Sequence, residues 1–482
     1  MSPPAAHHVV VCNPSWGHCR GQLTFGLRLL QLHSHVHYSI FVPSFIPQSI
    51  DPEISKADLD PPQRSRLNII KYEIQDEMPG DPNEATADDL LWQRWSFWLA
   101  HQVLPAYKAF TRTTTKDQTG HARRVEKVFA DGLLLWGFQS HLEELCRLEG
   151  VTAPKSYFLG PVSAAYCATL MWNQSSLFHD TLKGYVDSVD AGNDRTSAFK
   201  KAIGENDLRI DELGVGLGPM YIWEMDPNES SRVQYHARSW HRLVSDIKGT
   251  DVTLFWPSIS REHTNMASTY MTVGPQYFWT KEVATRSQHD TIAFLDRAMA
   301  EVGEHSVVYI AFGSSFSPGT AAQLGFLFDA LRVAGLWVLM SSVGGDAEVH
   351  AVIDAKIAAF GTHGGSNSTQ ESMLSGVPMV IWPGGWDQPF IANELVHLGI
   401  ALELVQVRTG LNVGRTMARG CLIEGTDQAI KREMTEVVQV ISSDKGDVMR
   451  RRAEEVKELT LKDMESGTSF KEMMCLGDPV HA

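Results

Sequence analysis

Short β-rich runs alternate with stretches of helical periodicity along most of the chain. HHVVVC (7–12) is a strand pattern, NPSWGH breaks it, and GQLTFGLRLLQLH carries apolar residues at helical spacing. HYSIFVPS (37–44) is strand-like again. This β-loop-α-β start predicts the first unit of a parallel, doubly wound sheet. KVFADGLLLW (127–136) predicts a further strand, followed by a helix through Leu142–Leu148 and the strand KSYFLGP. In ADDLLWQRWSFWLAHQVLPAYKAF (87–110), Trp92, Trp95, Leu99 and Val103 share one helix face. That face fits a core-facing amphipathic helix, or one wall of an apolar ligand pocket.

Residues 271–290 lose periodicity and turn polar in their later part, as an interdomain linker does. The alternation then restarts. TIAFLDRAMAEV is helical, SVVYIAFG (306–313) is a strand, SSFSPGTAAQLGFLFDALRVAG is a loop and helix, and LWVLMSS (336–342) is a strand. IAAFGTH (357–363), STQESMLSG and VPMVIWP (377–383) follow as strand, helix and strand, and the last segment reads as two helices divided near Gly467. Two β/α arrays joined by a linker predict an α/β protein of two facing Rossmann-like domains. The first occupies 1–275, the linker 276–290 and the second 291–445, with closing helices in 446–482.

Composition narrows the function. A chain of 482 residues is too long for one ordinary core, and 43% apolar with 21% charged residues is a globular balance. The formal charge of −15 argues against a nucleic-acid partner, since phosphate backbones require clustered Lys and Arg. Cysteines 12, 19, 146, 167, 421 and 475 form no CxxC or Cys/His ligand spacing, so reduced, mostly buried thiols and no metal site are expected. The N-terminus lacks the basic and apolar regions of a signal peptide, and no run approaches membrane-span length, which leads us to expect a cytoplasmic chain. Sequons at Asn173, Asn228 and Asn367 are then incidental.

Four polar clusters end the strands: PSWGH (14–18), FGSS (312–315), THGGSNS (362–368) and PGGWDQ (383–388). In open α/β sheets ligands bind at these carboxyl ends. THGGSNSTQE joins a strand to a helix, and its glycines admit close backbone approach while the helix N-terminus favours an anion such as phosphate. His363 can donate to a phosphate oxygen, and Glu371, one turn in, can accept from sugar hydroxyls. An ordinary capping loop, with Asn367 or Ser368 as cap, fits equally well. Asp387-Gln388 offers acceptors and a donor to a polyol, or forms a plain surface turn. His18 with Asp131, which ends a strand in the same half, would make a general base oriented by a carboxylate. A structural histidine is the simpler alternative.

These segments together resemble the family 1 UDP-glycosyltransferases, which have the GT-B fold, nearly from end to end. PSWGHCRGQLTFGLRLL is similar to the family's P-x-x-GH opening, and SVVYIAFGS to the start of its second domain. FGTHGGSNSTQESMLSGVPMVIWPGGWDQPFIANEL resembles the second half of its donor box, and RRRAEEV and SGTS its closing helices, which pack back toward the first domain. The resemblance implies transfer of a hexose, UDP-glucose being the common donor, to a hydroxyl of a lipophilic small molecule with inversion. His18 would deprotonate the acceptor and Asp131 would steady the imidazolium. His363, Gly365, Asn367, Ser368 and the loop amides would hold the diphosphate, with Ser314 touching it. Glu371 would take the ribose, and Asp387 and Gln388 the sugar. No metal or other cofactor is implied.

Three departures stand out. Ser366 stands where plant members have Trp, and Cys19-Arg20 replaces apolar residues after the GH. The donor box's opening W-x-P-Q is absent: Gly345 and Glu348 fall at its Trp and Gln. Roughly 20 residues, about one edge strand with its connections, are missing around 343–349. The Trp would stack on uracil, and by analogy with base stacking in nucleic-acid sites its loss costs about 1–3 kcal/mol. An impaired or non-catalytic ligand-binding relative is therefore the alternative. A sugar-nucleotide epimerase of the same fold fits poorly, because such enzymes lack the GH-led acceptor half.

Overall fold

A computed structural model describes residues 6–45, 47–74, 91–113, 125–148, 150, 152–160, 176–210, 217–227, 251–254, 270–277, 286–313, 320–341 and 357–478. The first sheet contains β1 (Ala6–Val11), β2 (Val36–Pro43), β3 (Leu67–Tyr72), β4 (Val125–Asp131), β5 (Lys155–Gly160), β6 (Asp251–Leu254) and β7 (Tyr270–Thr272). Their order is β3-β2-β1-β4-β5-β6-β7, all parallel. The second sheet contains β8 (Val307–Ala311), β9 (Trp337–Met340), β10 (Ile357–Thr362), β11 (Met379–Ile381) and β12 (Ala401–Glu403) in the order β12-β11-β10-β8-β9, also parallel. In each sheet the order reverses beside the first strand, which opens a crevice at the carboxyl ends.

Parallel strands are covered on both faces and therefore read as continuous apolar runs. Val9, Val10 and Val11 are all fully buried. Side chains alternate between faces, so Val10 packs with Phe25, Leu29 and Ile40, while Val9 and Val11 pack with Leu99 and Val103. The amphipathic run predicted at 87–110 is helix Leu91–Thr113. Its Leu99, Val103, Tyr107 and Phe110 belong to the core; the side chains of Trp92 and Trp95 lie outside the described residues. The neighbouring helix Gly132–Leu148 crosses it closely at Gly137, where a Cβ would stand 2.6 Å from the Ser96 carbonyl.

Two expectations change. The strand read at 127–136 stops at Asp131, and GLLLW opens helix Gly132–Leu148. An apolar run of that kind does not by itself distinguish strand from helix. The later part of the linker is helical from Arg286, in helix Arg286–Glu301. Asp290, Asp296 and Arg297 are exposed, while Leu295 and Ala298 are buried.

The closing helices are Asp444–Ser466 and Thr468–Cys475. The second lies against the first domain. The Lys127 ammonium donates to the Leu476 and Asp478 carbonyls at 2.8 and 2.7 Å, His33 Nε2 lies 3.1 Å from the Met474 carbonyl, and the Thr272 amide donates to Glu472. Among the described residues no helix is long and apolar enough to cross a membrane. Cys12, Cys19 and Cys146 are free and buried, whereas Cys421 and Cys475 are free but exposed, so burial of the thiols is only partial.

Candidate active site

Helix Trp16–Leu32 starts directly after the β1 turn, which puts His18 in its first turn, at the carboxyl edge of the sheet. Asp131 ends β4, the strand paired with β1. The two meet with His18 Nδ1 2.7 Å from Asp131 Oδ2. An ionised carboxylate only accepts, so Nδ1 carries the proton and Nε2 is left as the basic nitrogen. The Asp131 side chain is 2% exposed and that of His18 is 35% exposed. Burial lowers the imidazole's pKa, but the charge and hydrogen bond of Asp131, with Asp387 adding to them, outweigh it and the net shift is upward.

Gln22, four residues after His18 and so on the same helix face, completes the arrangement. Its Nε2 donates to Asp131 Oδ2 at 2.8 Å and its Oε1 accepts from the Asn13 amide at 2.8 Å. Asn13 Oδ1 in turn accepts from the Ser15 amide at 2.8 Å. His18 and Gln22 thus hold the same carboxylate oxygen. Sequence reasoning missed Gln22, although the i, i+4 spacing from His18 is a legible signal.

In the second domain the loop after β10 leads into helix Ser366–Ser375. Its N-cap is Gly365, with no side-chain cap, so neither Asn367 nor Ser368 caps it as the simpler reading supposed. The first-turn amides are consequently left for a ligand. His363 lies between two glycines. A Cβ on Gly313, whose φ is +70°, would stand 2.7 Å from His363 Cε1, and one on Gly365 would stand 2.3 Å from its Nε2. Only residues without side chains leave room for this ring. Burial lowers its pKa to about 4, which keeps it a neutral donor at pH 7.

The two halves touch through these loops. Asn367 Nδ2 donates to the Gly17 carbonyl at 2.6 Å, beside His18. Glu371 accepts from Arg20 Nη1 and is 5% exposed, and Gln370 Oε1 accepts from the Gln276 amide at 3.1 Å. Ser368 is half-buried in the helix's first turn. After β11, Asp387 precedes helix Gln388–His397 without capping it. Gln388 Oε1 folds back to accept from the Gly384 and Gly385 amides at 2.7 and 3.3 Å, bracing the loop. Trp386 adopts φ +61°, a strained conformation for so large a residue, next to Asp387. Ser314 and the 343–349 stretch with Gly345 and Glu348 lie outside the described residues. β9 is the last described strand on its side of the second sheet. Among the described residues no three His, Cys, Asp or Glu side chains gather as metal ligands.

The fold places the chain in the GT-B class. It superposes end to end on Medicago truncatula UGT71G1 complexed with UDP-glucose, with a TM-score of 0.65, 17% identity and 98% of both chains covered. It also superposes on Phytolacca americana UGT2 complexed with UDP-2fluoro-glucose and pterostilbene, with a TM-score of 0.64, 18% identity and 99% of both chains covered. Residues 350–413, which hold the THGG and DQ loops, match the family described as UDP-glucoronosyl and UDP-glucosyl transferase. In sequence it is 29% identical to the scopoletin glucosyltransferase of Nicotiana tabacum over 210 residues, 38% of this chain and 40% of that one. It is 30% identical to UDP-glycosyltransferase 87A2 of Arabidopsis thaliana over 182 residues, 34% of this chain and 37% of that one. These matches span about two fifths of the curated relatives' length.

Proposed function

We propose that the chain is an inverting glycosyltransferase that moves a hexose, most simply glucose, from a UDP-sugar to a hydroxyl of a lipophilic small molecule. The observation that carries this reading is the His18–Asp131 pair set opposite the uncapped N-terminus of helix Ser366–Ser375. His18 Nε2 takes the proton of the acceptor hydroxyl. The freed oxygen attacks the anomeric carbon from the face opposite UDP, forming the new glycosidic bond. The bond to the β-phosphate oxygen breaks, and its electron pair leaves with UDP. Asp131 stabilises the imidazolium. His363, Gly365, Asn367, Ser368 and the first-turn amides meet the charge that develops on the diphosphate, with Ser314 beside them. Glu371 takes the ribose, and Asp387 and Gln388 the hexose. In this reading the helix end does the work that a metal does elsewhere, and no cofactor takes part.

The relatives support the substrate class. One is named for scopoletin, and the superposed structures hold UDP-glucose, or a fluorinated analogue with pterostilbene. We also assign the chain to the cytoplasm, in keeping with five free cysteines among the described residues. The test is incubation with UDP-glucose and a panel of phenolic and alcoholic acceptors, scored by mass spectrometry and by UDP release. His18→Ala should lower turnover by at least about 10²-fold, the scale for a lost general base. Near-normal turnover in that variant would end the assignment.

That β9 is the last described strand on its side of the second sheet favours a second reading, a nucleotide-binding relative without turnover. Saturable UDP binding with no product from any acceptor would support it; one glycosylated acceptor refutes it.

A further inference from the structure

Arg20, two residues past His18, is 5% exposed. Its Nε donates to Glu53 Oε1 at 3.0 Å and its Nη1 to Glu371 Oε1, while its Cζ lies 4.4 Å from the Tyr277 ring centroid. Lys56 donates to the same Glu53 oxygen at 3.1 Å. Two cations and two carboxylates thus alternate along a buried line that runs from helix Pro47–Lys56 through helix Trp16–Leu32 into helix Ser366–Ser375. The charges cancel, so the line holds no surplus cation for an anionic ligand.

Its hydrogen-bonding capacity does not cancel. Arg20 Nη2 and Glu53 Oε2 flank the Nε–Oε1 bond, and both are buried without a partner. An unpaired donor beside an unpaired acceptor calls for a group that both accepts and donates through one atom, and among common ligand groups that is a hydroxyl. Position along the helix points to its source. Glu371 lies four residues, roughly 6 Å, beyond Asn367 in the first turn. A sugar joined directly to a phosphate held at that turn falls beside Glu371 and Arg20.

We propose that Arg20 is a specificity-determining residue of the donor site: its Nη2 donates to a ribose hydroxyl of the nucleotide while its Nη1 fixes the Glu371 carboxylate for the same sugar. The ribose is then recognised by a charge pair built from both domains. This rests on the proposed function, because it takes the nucleotide to lie along helix Ser366–Ser375.

The test is calorimetric titration of the full chain with UDP and with 2′-deoxy-UDP. It is run on the unaltered protein, on Arg20→Lys, and on the charge-balanced double variant Arg20→Met/Glu53→Gln. The unaltered protein should prefer UDP by about tenfold, the scale of one hydrogen bond to a charged group. Arg20→Lys should lose about that factor for UDP and little for the deoxy nucleotide, so the preference collapses. A merely structural role would weaken both nucleotides alike. The double variant gives the same comparison where Arg20→Lys fails to fold. Equal affinity of the unaltered protein for the two nucleotides overturns the inference without any variant. A preference kept in the variants, or tighter UDP binding in Arg20→Lys, also overturns it. Failure of the unaltered, folded protein to bind UDP at all removes the proposed function instead.

Discussion

Asp131→Asn isolates what the buried carboxylate does for His18. The substitution keeps the shape and removes the charge at the end of a 2.7 Å hydrogen bond. A hydrogen bond to a charged group contributes about 1.5–3 kcal/mol. The imidazole is 35% exposed, so solvent screening brings the expected loss to or just below the bottom of that range, about 1–1.5 kcal/mol. Losing the charge that raises the imidazole's pKa moves that pKa downward. The base must be neutral to act. The acid limb of kcat/KM against pH should therefore move downward in Asp131→Asn. The plateau should fall by about 10²-fold or more, because an amide no longer selects the tautomer that leaves Nε2 basic. Stability moves with the same sign. The folded pKa of His18 is raised, so the pair stabilises the fold below the unfolded value near 6.5 and the gain is lost as pH rises through the folded pKa. The variant should thus lose more stability at pH 5.5 than at pH 8.5. Turnover within threefold of the unaltered protein and an unmoved acid limb would refute this account of the pair.

Three further outcomes follow from the packing. Gly365→Ala puts a methyl 2.3 Å from His363 Nε2 and should weaken UDP binding by about tenfold or more, with the melting temperature nearly unchanged, since the loop can shift only by displacing the ring. Gln22→Leu removes a donor to Asp131 Oδ2 and should lower kcat by about tenfold while leaving KM for the donor within twofold, read from steady-state kinetics. Glu403 bonds both Arg408, at 2.8 Å, and Arg419, at 2.6 Å. Burial raises its pKa, but the two guanidiniums hold it below the usual carboxylate range. Its contribution is therefore present above the unfolded pKa of about 4.3 and lost as pH falls through the folded one. Glu403→Gln should cost about 3–5 kcal/mol at pH 7 by urea unfolding, because the buried Arg408 and the half-buried Arg419 lose their partner.

The sequence carried much of this arrangement, and the exceptions have physical causes. The strands at 7–12, 37–44 and 306–313 were legible because parallel strands buried on both faces form unbroken apolar runs. β6, β7 and β12 have only three or four residues each and left no such signal. The His18–Asp131 bond joins residues 113 positions apart and could be anticipated only because His18 follows one strand and Asp131 ends the strand beside it. The glycine cradle around His363 depends on Gly313 in the loop after β8, the strand beside β10, a contact that no local spacing announces. Arg20 was legible as an unusual residue, but its pairing with Glu371 spans 351 positions and appears only in three dimensions.

The last helix has a consequence for how the chain is made. Residues 474–478 supply the carbonyls that Lys127, His33 and His35 bind, and Glu472 meets β7. The domain that leaves the ribosome first is therefore completed last, after the whole second half has been synthesised. Until then the buried face around Lys127 and His33 stays open to water and to other chains. Domains generally fold as they emerge, N-terminal first. Here the first domain waits for its own closing piece, and a nascent chain stalled anywhere before residue 468 presents an unfinished surface to the chaperones around it.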